Sequence, residues 1–399
     1  MRKSKLLYLT MQQVLFLMYF LISYFIYTIA IKQGNEGVAI QILGGRDDGF
    51  FYWEQVKNIV SGDSAILTSI YPLIIGTVVK ITGIQDVYII RFFNYLGFVG
   101  FVFMSVWIID FVFYYSNKNI NETLNERSNS KTILIVSFIA YTSLLMYATF
   151  SIYRDIWIMF FYLLCILLSA LIIFNPKQTY LMVVLVPSLW IMGELRFYAV
   201  GSFMLTLIFY FAHKKMRYVK RPLLIVGVFL TIFILYYTFL MDYQIPYLKM
   251  SLGDALDYRT SALTNFSGGS QMYIDLKKKF FGTFLVNYFH SYLSNFIGPL
   301  PWQIKNFGTL LLFVIESIPM VFILRFLWLK RIILTPIHNY LLLHAFVWFG
   351  LIGLTNDNTG TAARLRMIGW VLILIVFGTV YSADKRNKEK KLSDKILYK

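Results

Sequence analysis

The chain has 399 residues, of which 58% are hydrophobic and only 14% charged, with a formal net charge of +17. Soluble domains carry about 25% charged residues, so a water-soluble fold is excluded and an all-α polytopic membrane protein is expected. The basic excess would suggest nucleic acid in a soluble chain. Here Lys and Arg gather in loops and in the tail, as the positive-inside rule requires, and no nucleic acid partner is expected.

"MRKSK" precedes an apolar run over 6–31, too long for a signal-peptide core and without a small-residue cleavage site, which reads as a retained first span. A first outer loop, 32–86, carries "GGRDDGFFYWEQVKNIVSGD". Spans are expected at 7–31, 87–115, 132–150, 156–174, 178–193, 195–213, 222–241, 307–329, 335–354 and 367–382, each near the length that crosses a bilayer core. A large outer loop covers 242–306 and a basic tail 383–399. Cys165, in an apolar run, allows no intrachain disulfide and reads as an inert buried thiol.

Two apolar segments, 66–81 and 284–300, need the charges to place them. "HKKMRYVKR", Lys330 with Arg331, and "DKRNKEKK" belong in the cytoplasm with the N-terminus. A full span at 66–81 would turn "HKKMRYVKR" outward, so 66–81, which contains Pro72, is read as a helix lying in the outer interface. The segment 284–300, ending in "GPLPW", is read as re-entrant or interfacial. The result is about ten transmembrane helices plus one or two interfacial or re-entrant helices, in one integral membrane domain, 1–399. Both termini are cytoplasmic.

This count gathers "RDD", "YRD", "ELR", the 242–306 loop and "NDNTGTAARLR" on the outer face. Asp47 and Asp48 could hold a divalent cation, Mg or Mn, or supply a general base, or simply be solvated. Arg46 adjoins them. Arg154 and Asp155 form a helix-end pair or a phosphate-holding Arg. Glu194 and Arg196, at the membrane boundary, pair with each other or face a substrate. Arg364 and Arg366 stand on the outer side against the positive-inside trend, which an anionic ligand would explain. His290 lies among Asn287, Tyr288, Tyr292 and Asn295, a set that could line a sugar cleft; no metal-ligand spacing involves the histidines. Asp254, Asp257 and Arg259 read as part of a mobile loop or lid. No nucleotide-binding or zinc-protease motif occurs.

"DDGFFYWEQVKNIVSGD", "YPLIIGTVVKITG" and "VYIIRFFN" together resemble the first outer loop of GT-C-fold glycosyltransferases of the protein O-mannosyltransferase and aminoarabinose-transferase type, over roughly the first hundred residues. In that family an acidic pair after the first span is followed by an interfacial helix with an aromatic, a Gly, an aromatic-Pro helix, a Gly, and an Arg opening the next span. Here those are Asp47 and Asp48, Tyr52, Gly62, Tyr71 with Pro72, Gly83 and Arg91.

The resemblance implies transfer of a sugar from a polyprenyl-phosphate or -pyrophosphate donor to a glycan, lipid or protein acceptor among the membrane lipids. The site would face outward from a bacterial cytoplasmic membrane. Asp47 would be the base, supported by Asp48, and Arg364 and Arg366 would neutralise the leaving phosphate. Many family members have more spans or a soluble C-terminal domain. With "YRD" and the late outer loop, the chain also resembles O-antigen or capsule polymerases, which join lipid-linked repeat units. A transporter or flippase for lipid-linked sugars is a third class; it would need charges lining a path to both faces, and no internal repeat is seen.

Overall fold

The computed structural model describes residues 2–40, 48–116, 124–216, 231, 233–244, 251–265, 271–278 and 280–397. The described residues form helices and connecting turns, with a single isolated β-bridge between Gln271 and Asn358. Among the described residues seven helices are long and apolar enough to cross a membrane: Lys3–Lys32, Val87–Ser116, Asp155–Phe174, Pro176–Leu195, Phe307–Leu329, Pro336–Thr355 and Met367–Glu389. The expected span at 132–150 is a pair of helices bent by 65°, which would bring the number to eight. That at 195–213 is a shorter apolar helix, Phe197–His213, and most of 222–241 lies outside the described residues. Among the described residues seven or eight helices are therefore long and apolar enough to span, and about ten stays an expectation.

The chain forms two compact units. The first contains Met1–Arg196, Lys330–His338 and Leu374–Lys399. Its leading helices are α1 (Arg2–Lys32), α2 (Asp48–Ser61), α3 (Tyr71–Thr82), α4 (Val87–Ser116), α5 (Leu124–Ala140), α6 (Thr142–Thr149), α7 (Asp155–Phe174) and α8 (Met182–Leu195). Helix α4 packs on α7 through glycines. A Cβ on Gly97 would lie 3.0 Å from the Trp157 ring, and one on Gly100 2.9 Å from Phe160. Close approach through small residues is how helices associate where lipid gives no hydrophobic drive.

Helix α3 has 12 residues, about 18 Å at 1.5 Å per residue, too short to span. Pro72 sits in its first turn, where the missing N–H costs nothing. Gly83 closes it in the left-handed conformation, φ 69°, with its N–H on the Val79 carbonyl.

Polar side chains of this unit form two sets of contacts. In one, Ser4 meets Asn125, Asp110 takes Arg127 and Lys131, Ser116 meets Thr335, Lys330 pairs with Asp384 and Arg386 with Glu126. In the other, the turn after α1, the start of α4, the α6–α7 turn and the end of α8 are joined.

The second unit contains Phe197–Leu329 and Asn339–Ile373. Tyr237, Leu256, Ile274, Leu276 and Phe284 form a buried cluster in it. The segment read as a mobile loop is a helix, Leu252–Asn265, begun by a reciprocal cap: Ser251 N–H donates to Asp254 and Asp254 N–H to Ser251 Oγ. Arg259 is 1% exposed, so one face of this helix is anchored in the core while Asp254 and Asp257 are exposed. The segment 284–300 is the helix Phe281–Ile297 followed by the Gly298–Gln303 turn.

Candidate functional site

The turn after α1 is tied down by Arg91. This residue, 3% exposed, donates to the carbonyls of Gly37 at 2.9 Å, Val38 at 2.8 Å and Thr149 at 2.6 Å. One guanidinium thereby ties the turn after α1 to the end of α6, using the fork that an ammonium lacks. Gly34 and Gly37 supply the left-handed backbone of that turn. Glu36 in the same turn accepts from Trp53 Nε1 and from Lys57, which docks α2. The Trp53 hydrogen bond, with help from Lys57, holds the Glu36 carboxyl below its ordinary value.

Helix α2 then presents two faces. Tyr52, Trp53, Gln55 and Val56 turn inward, while Asp48 at its first position is exposed. Gln55 Oε1 accepts from the Ile66 N–H and closes the link to α3. The Tyr52 ring meets Tyr71 edge-on at 5.4 Å. Tyr71, buried, donates to Asn94 Oδ1 at 3.0 Å, and Asn94 Nδ2 donates to the Tyr153 carbonyl. This chain of bonds sets the turn that carries Arg154.

The Arg154 guanidinium lies over the Tyr52 ring at 5.8 Å and donates through Nη1 to the Thr68 carbonyl at 3.3 Å. Its Nε is buried without a hydrogen-bond partner. Asp155 pairs with Arg196, Nη1 to Oδ1 at 2.9 Å, with both side chains largely buried. The Glu194 carbonyl accepts from the Ile70 N–H, while its side chain is exposed. Burial pushes the Tyr52 phenol up to about 12, and the charges of Arg154, Asp155, Asp48 and Arg196 all reach it. Segments far apart in sequence thus place a neutral phenol donor, an exposed carboxylate and a half-buried guanidinium together. Such a set can position a hydroxyl, accept its proton and hold an anion.

Asp47 and Arg46 lie outside the described residues. Among the described residues no group of three or more His, Cys, Asp or Glu is placed to hold a metal ion.

The second unit holds the remaining expected residues, and several are engaged in packing. Arg366, 1% exposed, pairs with Glu316 at 2.7 Å, donates to the Gly298 carbonyl and lies 4.2 Å from the Trp370 ring. Glu316 sits in a π-helical turn, Phe313–Ser317. Arg364 is half-buried on the short helix Thr359–Leu365. His290 Nε2 accepts from Trp302 Nε1 at 3.1 Å.

The supposed cleft-lining groups are satisfied internally. Asn287 donates to Asp275, Tyr288 to Gly350, Tyr292 to Phe346, and Asn295 to Ser291 and Asn356. Arg259 forms a buried ion pair with Asp357 and donates to Ile274, Ser291, Gly353 and Asn356. Asp357 in turn accepts the successive N–H groups of Tyr273 and Ile274, a nest that explains the positive φ of Tyr273.

Sequence reasoning did not single out the partners Glu316 and Asp357. "NDN" was visible, but nothing local tied it to an Arg about a hundred residues earlier. Comparison with protein-family models, curated proteins and solved structures gives no match.

Proposed function

We propose that the protein is a GT-C-type membrane glycosyltransferase that moves a sugar from a polyprenyl-phosphate-linked donor to a cell-envelope acceptor. The observation that carries this reading is the grouping of Asp48 and Tyr52, the acid and the interfacial aromatic that the resemblance expects, with the Arg154 guanidinium. The two short helices α2 and α3, and the left-handed Gly62 and Gly83 that end them, support it as well. The fit is in spacing and in backbone conformation, independent of the charges.

In the proposed reaction an acceptor hydroxyl attacks the anomeric carbon. The new C–O bond forms as the bond from that carbon to the phosphate oxygen breaks, and the leaving polyprenyl phosphate takes the electron pair. The hydroxyl proton passes to a carboxylate of the Asp47–Asp48 pair. Arg154 balances charge on the departing phosphate. About ten spans, cytoplasmic termini and an outward site in a bacterial cytoplasmic membrane belong to the same proposal. The basic loop at Lys330 and Arg331 and the basic tail support that orientation.

The test is the chemical structure of the surface glycan in cells with and without the protein. Loss of one side-chain sugar is expected. Accumulation of single repeat units would instead make the protein a polymerase, and an unchanged glycan would remove the reading for a glycan acceptor.

A further inference from the structure

The segment 271–278 of the second unit is held rigidly. Asp357, in its buried pair with Arg259, accepts the N–H groups of Tyr273 and Ile274, and its carbonyl accepts from Met272. Arg259 donates to the Ile274 carbonyl, Asn287 to that of Asp275 and Tyr237 to that of Lys278. Within this frame Tyr273 has a left-handed backbone, φ 60°, and is 68% exposed. That conformation is unfavourable for a bulky residue and persists only where the surrounding bonds impose it. Here a buried ion pair imposes it, and what it presents is an exposed aromatic ring.

Lys305 completes the arrangement. Its Nζ lies 4.6 Å from the Tyr273 ring centroid and donates to the Gln271 carbonyl at 2.9 Å. Its backbone is fixed as well: the N–H groups of Lys305 and Asn306 donate to Thr309 Oγ1, and the Thr309 N–H donates to Asn306. Among the described residues Lys305 makes no ion pair, whereas Lys277 and Lys278 pair with Asp257 and Asp275. An ammonium has three donors. Gln271 takes one, which leaves two for an anion.

A bilayer anchor has no use for this geometry. Tyr and Lys at a membrane surface work in many ring and chain orientations, so the left-handed backbone would be strain without return. A ligand of defined shape does need a fixed ring beside a fixed charge. Sugars stack their apolar C–H faces on aromatic rings and carry their charged groups at the ring edge.

We propose that Tyr273 and Lys305 form a binding site for an acidic saccharide, the ring taking a sugar face and the ammonium its carboxylate or phosphate group. The choice of a saccharide rests on the glycosyltransferase reading, under which the 242–306 loop meets envelope glycans. The site itself is additional to Asp48, Tyr52 and Arg154 and lies wholly in the second unit.

The test is binding to the full-length protein in phosphatidylcholine nanodiscs. The probes are pentagalacturonate against neutral galactopentaose, mannose 6-phosphate against mannose, and inorganic phosphate alone. At least one acidic saccharide should bind at least about tenfold more tightly than its neutral counterpart and than inorganic phosphate. Lys305→Gln should abolish that preference. Tyr273→Gly, which suits the left-handed backbone, should lose binding at an unchanged or raised melting temperature. Lys277→Gln, which removes a lysine already paired, should bind as the wild type does. If Tyr273→Gly melts lower, the two lysine variants carry the comparison.

Equal binding of both neutral sugars would overturn the charge recognition, and equal binding of inorganic phosphate would reduce the site to an ion contact and overturn the saccharide. Loss of the preference in nanodiscs containing phosphatidylglycerol would make the pair a headgroup anchor and end the proposal, as would wild-type affinity in both Lys305→Gln and Tyr273→Gly. A wild type that binds neither acidic saccharide would remove the site, and sugar transfer dependent on Asp48 would then leave the glycosyltransferase reading standing. Intact saccharide binding without any transfer would do the reverse.

Discussion

Arg196 pairs with Asp155, 41 positions earlier, and not with Glu194 two residues away. The backbone explains the choice. Arg196 ends α8 in an extended conformation, φ −160° and ψ 106°, which turns its side chain away from the exposed face where Glu194 lies. The pair fastens the start of α7 to the end of α8 at the edge of the candidate site.

Removing one partner of a largely buried pair leaves the other uncompensated, so Asp155→Ala should cost about 3 kcal/mol. Glu194→Ala should stay within about 0.5 kcal/mol, as exposed substitutions do. Thermal unfolding of the purified protein in detergent compares them. Equal losses would contradict the pairing.

Gly83 and Gly62 are left-handed, and a Cβ on either would meet nothing within 4 Å. Alanine there should cost roughly 1–2 kcal/mol from backbone conformation alone. A Cβ on Gly76 would instead lie 2.7 Å from the Ile59 side chain. The loss caused by Gly76→Ala should therefore be relieved by Ile59→Ala, and that caused by Gly83→Ala should not. Rescue of both would refute the conformational explanation.

Acid should loosen α2. The Glu36 carboxyl is held below its ordinary 4.5 by Trp53 and then Lys57. A depressed folded-state value means the contribution is present above 4.5 and is lost as pH falls through the lowered value. Hydrogen exchange over residues 48–61 should rise on acidification below that point. Glu36→Gln should remove this pH dependence while leaving exchange in α7 unaltered.

How much of this was readable from sequence can be argued from single residues. Tyr71, Pro72 and Gly83 announced α3 because proline and glycine constrain the backbone locally, without reference to distant partners. The seven long apolar helices were legible for a similar reason, since hydropathy is a property of the segment itself. The roles of Arg259 and Arg366 were not legible. Each reads as an outward charge until Asp357 and Glu316 are placed beside it by tertiary packing. Arg154 looked no different from Arg196 in sequence; what separates them is that, among the described residues, a carboxylate pairs with only Arg196.

Orientation can be read by accessibility. In a Cys165→Ser background, Glu194→Cys should react with a membrane-impermeant maleimide applied to intact cells, and Lys385→Cys only after lysis. The reverse pattern would invert the proposed topology.

The central claim is that the Asp47–Asp48 pair serves sugar transfer together with Arg154. Its most direct test is transfer of a labelled sugar from a decaprenyl-phosphate donor by the purified protein, comparing wild type with Asp47→Asn and Asp48→Asn. At least one of the two variants should lose about a hundredfold or more in rate, the scale of a missing general base, with folding and donor binding retained. Wild-type rates from both variants would contradict the account.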